Sequence, residues 1–101
     1  MINKIKIYLK KRKILTNQEP IIGKVIKYYP KKEVTIIKLL TKITKGDEII
    51  FFNKNNIEEN FVQITPDIYH NRKLIKKTRP GMEVGIKTLK KTRPEMIILK
   101  N

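Results

Sequence analysis

The one histidine, His70, is the first candidate for proton transfer, and Asp67 is the only carboxylate near it in sequence that could orient its ring. There is little for such a base to act with. The chain contains no Cys and no Ser, which excludes disulfides, thiolate metal sites and a serine triad; one histidine excludes a two-histidine metal centre. A surface or semi-buried histidine is the stronger reading, and no catalytic residue, cofactor or metal is expected. Positive charge is what the sequence supplies in quantity. Lys76-Lys77-Thr78-Arg79-Pro80-Gly81-Met82 recurs as Lys90-Lys91-Thr92-Arg93-Pro94-Glu95-Met96. Lys76, Lys77 and Arg79, with Lys90, Lys91 and Arg93, are therefore paired candidates for holding phosphate, since Lys and Arg neutralise it and release counterions. Arg72 and Lys73, and Lys31 and Lys32 after Pro30, extend the set. Tyr28, Tyr29 and Tyr69 are candidates for stacking on unpaired bases. Each has a plainer rival: basic turns that are merely solvated, and tyrosines half-buried with the hydroxyl in water.

The 101 residues carry 24 Lys and Arg against 9 Asp and Glu, a net charge of +15. Codon usage in an A/T-rich genome also enriches Lys, Ile and Asn, and it competes with function as the source of this charge. It would spread Lys evenly. Instead Met1 to Lys32 holds 10 basic and 1 acidic residue, Glu33 to His70 holds 4 and 6, and Asn71 to Asn101 holds 10 and 2. Segregation of this kind argues for a basic surface with a purpose.

The elements that must position these side chains are strands. Ile numbers 19, Val 4 and Thr 8, while Ala and Trp are absent. That β-branched supply suits pleated sheet and is poor helix material. Ile5, Ile7 and Leu9 alternate as a strand would, although Ile2, Ile5 and Leu9 also fit one helix face. Strands are predicted over Ile21 to Tyr29, with Gly23 marking a bulge or close backbone approach, and over Glu33 to Leu40. Ile49 to Phe52 reads as a strand covered on both faces, and Glu59 to Thr65 alternates towards Pro66. Ile68 to Lys73 is a weak extended segment, and Glu83 to Leu89 and Ile97 to Lys100 complete the series. Phe51, Phe52 and Phe61 read as core. Thr44-Lys45-Gly46-Asp47 is a turn, and the two copies of the basic repeat each deliver the chain into a strand, so that their charges are expected to form one patch. Short strands separated by turns point to an all-β fold, a small closed antiparallel barrel that abolishes sheet edges.

In their order, Ile22-Gly23-Lys24-Val25, Tyr29-Pro30, Thr44-Lys45-Gly46-Asp47-Glu48-Ile49, Ile68-Tyr69-His70 and Gly81-Met82-Glu83-Val84-Gly85-Ile86-Lys87 resemble domain 2 of elongation factor Tu and elongation factor 1-alpha. Short stand-alone elongation-factor-like proteins are more similar still. The resemblance implies a six-stranded antiparallel β-barrel over 20–101, preceded by a basic N-terminal extension, 1–19, with room for an extra strand. It departs from the family where Pro94-Glu95 replaces a Gly-Asp, and where Asn17-Gln18-Glu19-Pro20 replaces the loop that helps hold the aminoacyl end of tRNA. With no P-loop and no N-K-x-D, nucleotide binding is not expected.

The function expected from these readings is a non-enzymatic, strongly basic RNA-binding protein. The resemblance implies an accessory role in translation, associated with ribosome or tRNA. The alternative is a protein-docking module that makes no contact with nucleic acid. Lys interrupts every apolar stretch, so no membrane span is predicted and a cytoplasmic location is expected.

Overall fold

The computed structural model describes residues 21–101. The extension 1–19 and its extra strand lie outside the described residues. The rest is all-β, as the abundance of Ile and Val leads one to expect. The strands are β1 (Ile21–Tyr29), β2 (Val34–Leu39), β3 (Glu48–Phe52), β4 (Phe61–Ile64), β5 (Ile68–His70), β6 (Lys73–Ile75), β7 (Glu83–Lys87) and β8 (Ile97–Lys100), with a single 3-10 turn at Ile57–Glu59.

These make one antiparallel sheet in the order β4-β3-β8-β1-β2-β7-β5-β6. It curls into an open half-barrel and is not the closed six-stranded barrel expected. Two physical reasons account for the difference. First, the segment read as one extended stretch from Ile68 folds back on itself. Asn71 and Arg72 both take positive φ, 51° and 67°, which is the backbone of a two-residue type I′ hairpin, and His70 pairs with Lys73 across it. Asn71 carried a signal for this turn; Arg72 in place of the usual glycine hid it. Second, among the described residues β4 pairs only with β3, and a side chain spans the opening between β4 and the end of β7. Gln63 is 6% exposed; its Nε2 donates to the Lys87 carbonyl (3.0 Å) and its Oε1 accepts from the Leu89 N–H (2.9 Å).

The concave face holds the core. Ile22, Val25, Ile37, Leu39, Ile49, Phe51, Val84, Ile86 and Ile98 alternate inward along their strands and are at most 2% exposed. Phe51 and Phe61 face each other in the β3–β4 register with rings stacked 4.7 Å apart. Phe52, expected in the core, is only half-buried, because alternation turns it to the opposite face from Phe51. Gly23 meets its expectation: β1 shifts register there against β8, and an added Cβ would lie 2.9 Å from both Ile37 Cγ2 and the Lys38 carbonyl oxygen.

Candidate nucleic-acid interface

Both copies of the basic repeat close a four-residue β-turn, of different types. In Arg79-Pro80-Gly81-Met82 the Met82 N–H returns to the Arg79 carbonyl at 3.2 Å, with Gly81 at φ 90°, a type II turn. In Arg93-Pro94-Glu95-Met96 the Met96 N–H returns to the Arg93 carbonyl at 2.9 Å, with no positive φ at Glu95. Each methionine carbonyl then accepts from the neighbouring strand, Met82 from Leu39 N–H (2.8 Å) and Met96 from Val25 N–H (3.0 Å). Thr44-Lys45-Gly46-Asp47 is a third turn of this kind: Asp47 N–H returns to the Thr44 carbonyl (3.0 Å), and Gly46 sits at φ 98°.

Sequence reading missed the residue that anchors each repeat, its threonine. Thr78 Oγ1 accepts from Ile43 N–H and donates to the Ile43 carbonyl, both at 2.8 Å. Thr92 and Thr88 both bond Thr35, which is fully buried, at 2.8 and 3.0 Å. Because the Thr88 hydroxyl is spent on the Lys90 carbonyl (3.0 Å), Thr35 donates to Thr88 and Thr92 donates to Thr35. A buried polar residue between charged neighbours in a turn carries no periodic signal. The repetition itself was the available clue.

These anchors separate the two turns. The first lies against Leu39 at the end of β2, where Gly81 N–H donates to the Leu39 carbonyl (2.8 Å). The second is held to Thr35 at the start of β2. At roughly 3.3 Å per strand residue the two anchor points are about 13 Å apart, at opposite ends of the strand. The single patch expected of the twin turns is therefore two sites.

They also differ chemically. Lys76, Lys77 and Arg79 join Lys42 around a groove of about 650 Å³ also lined by Ile43 and Met82, and among the described residues no carboxylate lines it. At the second turn Arg93 Nε donates to Glu59 Oε2 at 2.7 Å. That hydrogen bond holds the Glu59 carboxyl below the usual range, aided by Asn53 Nδ2 on the other oxygen (2.9 Å) and by the charge of Lys91, and it raises the Arg93 guanidinium in turn. Arg93 thus ties the second turn to the β3–β4 loop, while Lys90 and Lys91 remain exposed. Lys31 and Lys32 are exposed in the β1–β2 connection, which Thr88 N–H joins through the Glu33 carbonyl (3.0 Å). Arg72 and Lys73 are exposed at the β5–β6 turn.

Tyr29 and Tyr69 are 42% and 43% exposed on the convex face, with Lys27 Nζ lying 4.9 Å from the Tyr29 ring centroid. Tyr28 pairs with Thr35, faces the concave side and is half-buried, so it is not placed for stacking. His70 Nδ1 lies 2.9 Å from the Glu83 carbonyl oxygen. Asp67, the carboxylate expected to orient that ring, instead pairs with Lys45 at 2.8 Å and holds the Lys45 ammonium above its ordinary value, the Tyr69 phenol adding in smaller measure.

No protein-family model matches the sequence, and no curated protein does. Among solved structures the chain is similar to the C-terminal domain of the putative U32 peptidase of Geobacillus thermoleovorans, at 24% identity and a TM-score of 0.74, over 80% of this chain and 99% of that one. A second crystal structure of the same domain gives the same identity and TM-score over 83% and 93%. This likeness overturns the resemblance to domain 2 of elongation factor Tu. The segments that suggested it, Gly46-Asp47 and Gly81-Met82 above all, are glycine turns feeding antiparallel strands, a local device that serves many β folds. The chain shares the fold of the Geobacillus domain.

Proposed function

We propose that the chain is a non-enzymatic RNA-binding module that grips phosphate through the lysines and arginines of its loops. One observation carries this reading: Lys42, Lys76, Lys77 and Arg79 gather around a single groove that no carboxylate among the described residues lines. Among the described residues, ion pairs hold only Lys45 to Asp67, Arg93 to Glu59 and Lys100 to Asp47. Like charges brought together unpaired repel one another, and a polyanion relieves that repulsion while releasing its own counterions. The role in translation rested on the resemblance to elongation factors and is not carried forward.

The test compares two variants of equal net charge. Lys76, Lys77 and Arg79 are changed to Gln in one, and Lys90, Lys91 and Arg93 in the other. RNA affinity should fall further in the first, and its slope of log K against log salt should shallow by about 2, since each phosphate contact on a single strand contributes roughly 0.7. Equal losses would mean diffuse attraction and no groove site.

A second reading, a protein-docking module, is favoured by the two open strands of the sheet. Ile64 on β4 and Leu74 on β6 are each 57% exposed there, and an extended segment of a partner would pair with such an edge. Binding of that kind would survive ribonuclease and high salt.

A further inference from the structure

Phosphate alone has no use for an apolar floor, yet the four-cation groove has one. Ile43 is 3% exposed, and Met82 is partly buried against the core. Both are held rigidly. Thr78 Oγ1 engages the N–H and the carbonyl of Ile43, each at 2.8 Å. Met82 is bonded through its carbonyl to Leu39 N–H, and its Sδ accepts from Arg79 N–H at 3.1 Å. A volume of about 650 Å³ falls within the ~300–1,000 Å³ of small-ligand sites, enough for a nucleotide and far too little for a duplex.

Resting on the RNA-binding reading, we propose that this groove seats one unpaired nucleotide. Its phosphate lies among Lys42, Lys76, Lys77 and Arg79, and its base packs on the partly buried Met82 thioether, which the buried Ile43 backs from the core side. The methionine suits this task, because a polarizable sulfur packs favourably against an aromatic ring and adapts to any of the four bases. The site therefore selects single-stranded or terminal RNA over duplex without reading sequence.

The test uses fluorescence anisotropy with three probes at one salt concentration: a labelled ten-nucleotide oligouridylate, an RNA duplex of equal length, and inorganic polyphosphate as competitor. The oligouridylate is expected to bind at least about tenfold more tightly than the duplex, and polyphosphate to displace it poorly. Met82→Ala should weaken oligouridylate binding roughly three- to tenfold while leaving polyphosphate binding unchanged. The comparison of probes on the unaltered protein stands even if that variant folds badly. Equal binding of all three probes would overturn the nucleotide seat and leave the phosphate reading intact. Undiminished oligouridylate binding after Lys42, Lys76, Lys77 and Arg79 are all changed to Gln would overturn both.

Discussion

At the residue scale, chemistry and conformation separate cleanly. Among the described residues nothing lies within 4 Å of where a Cβ on Gly46 or Gly81 would sit, so the cost of a side chain there comes from φ, 98° and 90°. Gly81→Val and Gly46→Val should each destabilise by about 1–3 kcal/mol, because a β-branched residue is strained at positive φ. Urea midpoints equal to those of the unaltered protein would refute the turn geometry. Glu59 sets a pH dependence whose sign follows from its depressed pKa. The folded state holds this proton less tightly than the unfolded chain, so the stabilisation is complete above the ordinary carboxylate pKa of about 4.3 and is lost as pH falls through the lower folded value. Melting temperatures of the unaltered protein and of Glu59→Gln should therefore differ at neutral pH and converge in acid. Parallel curves would mean that the Arg93 contact contributes nothing.

At the scale of elements, three strands are entered in the same way. Turns ending at Asp47, Met82 and Met96 lead into β3, β7 and β8, and the two basic repeats are additionally pinned by threonine. The pins are unequal. Thr78→Val strips the buried Ile43 N–H of its acceptor and should cost about 1–3 kcal/mol, the penalty of an unmet buried donor. Thr92→Val removes only the donor at the head of the hydroxyl relay and leaves Thr35 still donating to Thr88, so the cost should be nearer 0.5–1.5 kcal/mol. Calorimetry on both variants checks the order, and a costlier Thr92→Val would reverse the assignment. The same anchoring decides which basic side chains converge. It turns Lys76, Lys77 and Arg79 towards Lys42, whereas Arg93 is occupied by Glu59.

At the scale of the whole molecule, the half-barrel stays open because the edge strand β4 meets the end of β7 through one amide side chain instead of a hydrogen-bonded ladder. Gln63→Leu keeps the apolar bulk but frees the Lys87 carbonyl and the Leu89 N–H. Hydrogen exchange of β4 amides should then accelerate relative to those of β1 and β2, because local opening no longer needs that bridge to break. Uniform exchange rates across the sheet would show that the bridge does not hold the edge. The net charge of +15 also belongs to this scale: in the proposed reading it supplies attraction to a polyanion at a distance, and the groove is the proposed point of contact.

Much of the architecture was legible in the sequence by itself. Ile21 to Tyr29 and Ile97 to Lys100 were readable as strands, and the glycine turns at Gly46 and Gly81 were readable too, because alternation and backbone freedom act over a few residues. The hairpin at Asn71-Arg72, the opening bridged by Gln63 and the buried threonines of the repeats were not. The hairpin was hidden by an arginine where the turn favours glycine, and the other two depend on partners far away in the chain, Gln63 with Lys87 and Thr35 with Thr92. The basic residues could be named as a population, since charge is additive and visible in a string of letters. Which of them converge, and which are neutralised, was settled only by the fold. Two identical Lys-Lys-Thr-Arg-Pro segments lie at opposite ends of β2, one opening onto a groove and the other closed by Glu59, because the antiparallel sheet places their anchors there.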